Sequence, residues 1–215
     1  MSGREVGSDR AAAIHSLGAE PFRSAGVDAD AVYRAALRLF AERGYRATTM
    51  ADIGAELGIR GPSLYRHVTS KQELLAKIMI DTMTALVADQ TAARRAGGGV
   101  VQQLRRIVEA HVRFHATHRE QAFVGNREIA NLEQVHRNRV LRLRQRYESG
   151  LRGVIAEGVR SGTFTVRADR LASYAILDMG MGVASWFRVD GPHSAEEVAF
   201  AHADFALAML SPRGA

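Results

Sequence analysis

The chain has 215 residues, no cysteine and a formal net charge of +6, from 29 Lys and Arg against 23 Asp and Glu. This length accommodates one small and one larger domain. The lack of cysteine excludes a disulfide framework and a thiolate metal site, and the positive charge suits a nucleic-acid partner. No apolar run approaches the ~18 residues of a membrane span, and residues 1–26 lack the apolar core of a signal peptide. We therefore expect a cytoplasmic protein without membrane contact.

The hydrophobic periodicity and the glycine and proline breaks predict an all-α fold of about nine helices. Residues 1–26 show no lasting periodicity and are expected to form a mostly disordered tail. We divide the remainder into a small domain, residues 27–75, and a larger one, residues 76–215. The expected helices cover about residues 28–43, two short stretches within 49–68, 71–95, 100–117, a short stretch before 131, 132–160, 169–188 and 195–210.

Residues 49–68 predict two short helices separated by a glycine turn. Thr49 can cap the first helix, with Asp52 three residues on in a capping-box arrangement. Gly58 ends that helix, because glycine enters the left-handed region without a steric penalty. Pro62 falls in the first turn of the second helix, where its missing N–H costs nothing. This layout is typical of a helix-turn-helix, which lays its second helix in the major groove of DNA.

Two serines mark the starts of later helices. Ser70 is followed three residues later by Glu73, which is the pattern of a capping box. Ser194 and Glu197 repeat the pattern before the last predicted helix. We therefore expect both boxes to close.

The order of motifs over residues 30–80 resembles the DNA-binding domain of the TetR family of bacterial repressors. The matching residues are Ala35-Ala36-Leu37-Arg38-Leu39-Phe40-Ala41-Glu42-Arg43-Gly44-Tyr45, Thr48-Thr49-Met50, Asp52-Ile53, Leu57-Gly58-Ile59, Ser63-Leu64-Tyr65-Arg66-His67-Val68 and Ser70-Lys71. The resemblance implies a three-helix head that binds a double-stranded DNA operator, and a larger domain for dimerisation and ligand binding. It further implies a homodimeric repressor that a small hydrophobic or acyl-CoA-like effector releases from a palindromic operator.

Two arginines of the helix-turn-helix are the expected base readers. Arg60 and Arg66 have the reach and the planar fork for guanine O6 and N7. For Arg60, a solvated turn residue is the alternative. Ser63 could contact a base or a phosphate.

The resemblance adds positions that contact the DNA backbone: Thr49, Tyr65, His67 and Lys71. For Tyr65, the alternative is packing at the domain interface. Gly61 and Pro62 complete the expected DNA-binding set. At Gly61 the chain departs from the family, whose members often carry a longer polar side chain there, and base reading at this position is correspondingly weaker.

Two apolar stripes in the last two predicted helices are candidates for a dimer interface, since dimers reading a palindrome gain the contacts that a single head lacks. In the TetR family the corresponding helices form a four-helix bundle with their mates. The alternative is that both stripes face the core of their own subunit. The expected interface residues are Leu171, Ala175, Val183, Val198, Ala201, Phe205 and Met209.

Relatives in the TetR family carry a small-molecule pocket among the middle helices, and ligand entry changes the spacing of the two heads. Methionine and aromatic residues at helical spacing also form plain cores, which is the alternative for each candidate. The candidate pocket residues are Phe114, His118, Phe123, Arg127, Glu128, Tyr147, Met179, Met181 and Trp186.

Three histidines, His111, His115 and His118, share one face of a predicted helix. They could bind zinc through their imidazoles, line a polar pocket, or hydrogen-bond to the long helix. We expect neither a metal nor a cofactor.

Arginines crowd the long helix predicted over residues 132–160. They do not share a face, so most are expected in solvent. The sharper interpretation is that one or two point inward and, with Arg127, pair with an anionic ligand such as an acyl-CoA, a fatty acid or a steroid acid. The region from His118 to Pro192 resembles the C-terminal domain of TetR-family regulators of lipid catabolism. The arginines are Arg137, Arg139, Arg142, Arg144, Arg146 and Arg152.

Other classes of protein make different demands on the sequence. An enzyme would need a nucleophile with its base, a metal or a phosphate loop, and the chain has no GxGxxG, GxxxxGK[ST] or GxSxG run. We therefore expect no enzyme. A ligand-independent architectural DNA-binding protein is the other alternative, and it predicts a larger domain packed solid, without a ligand-sized cavity.

Overall fold

The computed structural model describes residues 27–210, which fold into nine α-helices and one 3-10 turn without a strand. The predicted all-α fold of about nine helices is confirmed, while the tail predicted over residues 1–26 lies outside the described residues. No helix in the described range is both long and apolar enough to cross a membrane. The helices are α1 (Ala29–Arg43), α2 (Met50–Glu56), α3 (Gly61–Leu64), α4 (Lys71–Arg95), α5 (Val100–Thr117), α6 (Arg119–Arg127), α7 (Gln134–Arg160), α8 (Asp169–Trp186) and α9 (Ala195–Leu210), with the 3-10 turn at Ile129–Asn131.

Side-chain caps fix where α2 and α9 begin. The Asp52 N–H donates to Thr49 Oγ1 at 3.1 Å, and the Thr49 N–H donates to Asp52 Oδ2 at 2.7 Å. In the same way, the Ser194 N–H donates to Glu197 Oε2 at 2.8 Å, and the Glu197 N–H donates to Ser194 Oγ at 3.2 Å. Two of the three predicted boxes therefore close, and they satisfy N–H groups that a first helical turn leaves unpaired.

The box predicted at the start of α4 closes on one side only. Ser70 Oγ accepts from the Glu73 N–H at 3.1 Å as expected. The Glu73 carboxylate, however, accepts from the hydroxyl and the N–H of Thr69 instead of the Ser70 N–H. Thr69 offers two donors to one carboxylate oxygen, which the backbone of Ser70 cannot match. These bonds, with the hydroxyl first, hold the pKa of the Glu73 carboxyl below its usual value.

Helices α1 to α4 enclose a small core, here called the head core. Its fully buried side chains, each contributing about 1.5–3 kcal/mol of hydrophobic free energy, include Leu39, Phe40, Ile53, Leu64 and Leu75. Residues of α6, of α7 and of the segment between them also close this core. Since α4 runs unbroken from the head into the larger body, the domain boundary between residues 75 and 76 stays a prediction.

Helix α5 is the centre of the larger body and packs against α4, α7, α8 and α9. Its fully buried stripe consists of Leu104, Ile107, Val108 and Val112. At the outer edge, the Arg113 guanidinium donates two hydrogen bonds to the Glu196 carboxylate of α9, at 2.6 and 2.8 Å. Because this pair is exposed, it contributes at most about 1 kcal/mol, and apolar burial supplies most of the contact energy.

Helices α4 and α7 run parallel, side by side. Near the start of α4, Gln72 donates to the Asn131 carbonyl at 2.5 Å and accepts from the Glu133 N–H at 3.1 Å, just before α7 begins. Farther along, Gln90 donates to the Tyr147 carbonyl at 2.9 Å. These contacts fix which levels of the two helices face each other.

Gly158 allows the chain that follows α7 to fold back against this helix. A Cβ at position 158 would lie 2.0 Å from a ring carbon of the buried Phe164. We expect Gly158→Ala to lower the free energy of unfolding by about 1–3 kcal/mol, measured by denaturant titration. Gly153→Ala is the matched control on the same helix, because a Cβ there meets nothing within 4 Å, and it should raise stability by roughly 0.5–1 kcal/mol. Equal effects of the two substitutions would contradict this role of Gly158.

Candidate DNA-binding surface and effector cavity

The turn between α2 and α3 has the geometry predicted for a helix-turn-helix. Gly58 has a φ of +66°, in the left-handed region that favours glycine. The Ile59 N–H donates to the Gly54 carbonyl at 2.9 Å, and a Cβ on Gly54 would lie 2.9 Å from the Ile59 carbonyl oxygen. Leu64 anchors α3 in the head core. Helix α3 is therefore held closely against α2, with its other side free.

The free side of α3 and the turn after it carry residues predicted to bind DNA. Arg60, Pro62, Tyr65, Arg66 and His67 are exposed, Ser63 is partly exposed, and α3 begins at Gly61. Arg66 Nη2 lies 3.4 Å from Ser63 Oγ. Tyr65 is 56% exposed, so it is not a core residue. The DNA contacts themselves stay predictions.

Two of the residues expected at the DNA backbone are engaged inside the head. Lys71 Nζ donates to the carbonyls of Tyr45 and Thr48 at 2.9 and 2.6 Å, and it lies 4.2 Å from the centre of the Tyr45 ring. The Thr49 hydroxyl donates to Asp52 at 2.6 Å. Two of the three N–H donors of Lys71 hold the turn between α1 and α2, so one remains for a phosphate, and its contact with DNA stays a prediction.

A cavity of about 450 Å³ lies among α4, α5, α6, α7 and α8, within the size range of ligand pockets. Of the predicted pocket residues, Phe114, Tyr147 and Met181 are in its wall. The complete lining is Thr82, Met83, Leu86, His111, Phe114, His115, Gln121, Ala122, Gly125, Asn126, Arg144, Tyr147, Glu148, Tyr174, Leu177, Asp178 and Met181.

Three predicted pocket residues, Phe123, Arg127 and Glu128, lie at the junction with the head instead. They line a separate hollow of about 170 Å³ against residues 40–44 at the end of α1. Glu128 Oε1 accepts from the Tyr45 N–H at 3.2 Å. The pocket assignment is wrong for these three because α6 turns positions 121, 122, 125 and 126 toward the cavity, and residues 123 and 127 then project from another side of the helix.

His118, Met179 and Trp186 are also wrong as cavity residues. His118 is exposed and stacks on Phe114, with ring centres 4.5 Å apart. Met179 is partly buried, but α8 turns positions 177, 178 and 181 toward the cavity instead. Trp186 is 50% exposed and stacks on His202 of α9.

The three aligned histidines of α5 have different surroundings, and two of them line the cavity. His111 Nε2 donates to the Leu177 carbonyl at 3.0 Å, and since a carbonyl can only accept, His111 Nδ1 accepts from the Tyr147 hydroxyl at 2.9 Å. Burial lowers the pKa of His111 to about 3 and lowers that of His115 as well, so both rings are neutral at pH 7. His111 thus makes the contact with the long helix that was one of the alternatives.

Within residues 27–210, no group of three metal-ligating side chains is arranged to hold a metal.

Arg144 is the arginine of α7 that lines the cavity. It was not distinguished from the other arginines of this helix in the sequence analysis. It lies on the inward stripe of α7 between Val140 and Tyr147, and this spacing of four and three residues was the available signal. Arg144 Nη2 donates to the Gly125 carbonyl at 2.5 Å. Burial lowers its pKa, but an arginine still remains protonated at pH 7.

The carboxylate nearest to Arg144 along α7 has other partners. Glu148 accepts from the Ser173 hydroxyl at 2.8 Å and lies 3.5 Å from the Arg152 guanidinium. No carboxylate among the described residues forms a salt bridge with Arg144. The cavity wall therefore contains a partly buried cation that forms no salt bridge, although Glu148 and Asp178 line the same cavity.

A second hollow of about 410 Å³ adjoins the cavity. It shares Arg144, Glu148 and Tyr174 with the cavity and adds Arg152 and Arg170. Three guanidinium groups against one carboxylate give this basic hollow a positive balance, which suits an anionic group.

Large apolar side chains are exposed on α8 and α9. Of the predicted interface residues, Leu171 is 67% exposed, while Phe205 and Met209 are also largely exposed. Ala175 is exposed and Ala201 is partly exposed. The outer face, as named here, consists of these five residues and three further exposed aromatic residues, Tyr174, Trp186 and Phe200.

Two predicted interface residues, Val183 and Val198, are wrong. Both are buried in the core of their own subunit, which was the alternative interpretation of the two apolar stripes. Val183 follows Leu171 by twelve residues, and over that distance an α-helix turns about 120° away from its starting direction.

Comparisons with known proteins agree with this architecture. Residues 32–78 match the family model "Bacterial regulatory proteins, tetR family", and residues 97–210 match "Tetracyclin repressor-like, C-terminal domain". The HTH-type transcriptional repressor KstR2 of Rhodococcus jostii (strain RHA1) is 28% identical over 169 residues, which are 76% of this chain and 81% of that protein.

Two solved structures add to the comparison. The TetR family transcriptional regulator PfmR from Thermus thermophilus is 35% identical, with a TM-score of 0.76 over 82% of this chain and 97% of that one. AibR, solved in complex with isovaleryl coenzyme A and operator DNA, is 22% identical, with a TM-score of 0.74 over 86% of this chain and 99% of that one. At this identity, AibR shows the fold alone.

The exposed Arg66 predicts a sequence-specific contact. We expect Arg66→Ala to weaken binding to a duplex selected from random DNA by about 1–3 kcal/mol, and binding to unrelated DNA much less, measured by fluorescence anisotropy. Arg146→Ala removes the same charge from an exposed position of α7 and should leave the preference for the selected duplex unchanged. An equal loss on both DNAs in Arg66→Ala would show that Arg66 contacts phosphate only.

Proposed function

Because the chain belongs to the TetR family of bacterial transcriptional regulators, we propose that it is a homodimeric repressor released from a palindromic operator by an acyl-CoA-like effector. The family consists of regulators and not of enzymes. The observation that carries the proposal is Arg144, a partly buried guanidinium without a carboxylate partner in the wall of a cavity of about 450 Å³. An anionic ligand would compensate that charge.

The two adjoining spaces match the two parts of such an effector. Leu86, Phe114 and Leu177 offer apolar surface to an acyl group in the cavity. Arg152 and Arg170 of the basic hollow, together with Arg144 between the two spaces, offer donors to the phosphates of coenzyme A. AibR, a protein of the same fold, was solved with a coenzyme A thioester and operator DNA.

Helix α6 connects the proposed effector site to the head. Its inward side lines the cavity, and beyond its end Glu128 accepts from the Tyr45 N–H of the head. The Arg46 guanidinium of the head donates to Asn131 Oδ1 at 2.8 Å. An effector that moves α6 would therefore move the head. It releases DNA only to the extent that it binds the non-DNA-binding arrangement better.

The architectural DNA-binding alternative receives no support from the larger domain. That alternative predicts a solid core, whereas the space among α4 to α8 is large enough for a small molecule. A repressor that responds to a ligand accounts for the space and for the charge in its wall.

Acyl-CoAs should release the protein from its selected operator, and Arg144 should set the concentration required. We expect Arg144→Ala to raise the acyl-CoA concentration for half-release at least about tenfold, because a hydrogen bond to a charged group contributes about 1.5–3 kcal/mol. Fluorescence anisotropy of a labelled operator measures the release. Arg142→Ala, at an exposed position of the same helix, is the matched control and should behave as the unmodified protein. Unchanged release in Arg144→Ala would contradict the proposed ligand site.

The outer face of α8 and α9 is the proposed dimer interface, because its large apolar side chains are exposed in one protomer. We expect Phe205→Glu to raise the dimer dissociation constant at least about 100-fold, since like charges would be brought together across the two-fold axis. Analytical ultracentrifugation measures this. Val135→Glu, at a residue 68% exposed on α7, should remain dimeric. A Phe205→Glu protein that stays dimeric would place the interface elsewhere.

A further inference from the structure

Thr82 of α4 carries a buried hydroxyl without a partner. Within residues 27–210, two buried side-chain polar atoms lack a hydrogen bond, Thr82 Oγ1 and Glu109 Oε1. Glu109 Oε1 lies 3.8 Å from the Arg105 guanidinium, so an opposite charge compensates it. Thr82 has no such compensation, although it is only 8% exposed, and unpaired buried polar groups are rare in folded proteins.

Other threonines of α4 show that a partner was available. Thr84 donates to the Ile80 carbonyl and Thr91 donates to the Val87 carbonyl, each four residues earlier and each at 2.7 Å. Such back-bonding is the usual arrangement of a threonine inside a helix. Thr82 also lines the cavity, but its hydroxyl oxygen makes no such bond and is itself buried. Rotation about the Cα–Cβ bond exchanges that oxygen with the methyl group, so the hydroxyl can turn toward a group that enters the cavity.

His115 offers a second polar atom to the same cavity. Its Nδ1 lies 2.8 Å from the His111 carbonyl, which can only accept, so Nδ1 carries the proton of the neutral ring. His115 Nε2 is then an acceptor, and it has no hydrogen-bond partner in the described part of the chain. The remaining polar residues of the cavity wall are hydrogen-bonded or reach solvent.

Thr82 and His115 lie at about the same level of the helix bundle. Helices α4 and α5 form an antiparallel pair in which Arg106 donates to the Ala93 carbonyl at 2.9 Å. Counting along both helices from that contact places His115 beside Thr84, which is about 3 Å along the axis from Thr82. Because both residues also line the same cavity, a ligand in that cavity can approach both of them.

We infer that the effector carries a hydroxyl group on the part that enters the cavity, where it donates to His115 Nε2 and bonds to the hydroxyl of Thr82. A hydroxyl both donates and accepts, so it satisfies the two residues together. A ketone accepts only, so it would leave His115 unpaired, and a plain acyl chain would leave both unpaired. This inference rests on the proposed function and narrows its effector from acyl-CoAs to hydroxylated acyl-CoAs.

Octanoyl-CoA and its hydroxy and oxo derivatives, substituted at one carbon at a time along the chain, test the inference. We expect the best hydroxy compound to release the operator at a roughly tenfold lower concentration than octanoyl-CoA and than its own oxo counterpart. In Thr82→Val this advantage should fall to about threefold, because only the bond to His115 Nε2 remains, with octanoyl-CoA measured on the same variant as the reference. Thr84→Val removes a hydroxyl that is already bonded to the Ile80 carbonyl and should keep the advantage.

The ligand-free variants provide a second readout. Because the Thr82 hydroxyl has no partner to lose, Thr82→Val should unfold at the same or a higher denaturant concentration than the unmodified protein. A lower midpoint would reveal a structural bond and overturn the inference.

The release data separate the two levels of proposal. Equal release by hydroxy, oxo and plain compounds would overturn the hydroxyl group and leave the acyl-CoA effector standing. A hydroxy advantage that stays undiminished in Thr82→Val would overturn the role of Thr82. If none of the acyl-CoAs releases the operator at millimolar concentration, the proposed function fails and the inference fails with it.

Discussion

Polar groups inside the helical body must find partners in the protein or in a ligand, because water that would otherwise solvate them is largely excluded. Most of the polar residues around the cavity meet this constraint internally. The rings of His111 and Tyr147 bond to each other, and Glu148 holds the Ser173 hydroxyl. Arg144, His115 and Thr82 meet it only in part or not at all. Their location in one cavity supports the proposed effector site.

The same constraint operates where the head meets the body. Tyr45, Arg46 and Gln72 of the head bond to residues of the segment 128–133, which joins α6 to α7. Beside these bonds, Val124 and Val140 from the body are buried in the head core. The head is thus built partly from the helices that enclose the cavity. A displacement of α6 cannot leave the head core unchanged, because close-packed interiors transmit small shifts.

Local signals in the sequence were sufficient for most of the fold. Glycine, proline and capping patterns act within a few residues, so the bounds of α4, α5 and α9 and the turn at Gly58 followed from neighbouring residues. The internal partners of Lys71 could not be foreseen, because they are carbonyls of the turn before α2, 23 and 26 residues away along the chain. No local pattern predicts such a contact.

The candidate site was harder to predict because a pocket depends on how the helices are rotated. Helix α6 has nine residues, too few for its apolar pattern to define an inward side, and Phe123 and Arg127 were consequently placed in the wrong space. Trp186 suited a pocket and an exposed interface equally well by residue type. Arg144 could be separated from the other arginines only by its register with Val140 and Tyr147, so a stripe of buried residues was more informative than the chemistry of any one of them.

The size of the contact between head and body is consistent with a reversible switch under the proposed function. Shifting a two-state population from about 1:99 to 99:1 requires about 5.5 kcal/mol of differential ligand affinity. Four hydrogen bonds join Tyr45, Arg46 and Gln72 to the body, at about 0.5–1.5 kcal/mol each, and the buried Val124 and Val140 add apolar contact. A ligand has to offset only the part of this contact that differs between the two arrangements of the head. One ligand that pairs with Arg144 and satisfies Thr82 could supply a difference of that size, because hydrogen bonds to charged groups contribute about 1.5–3 kcal/mol.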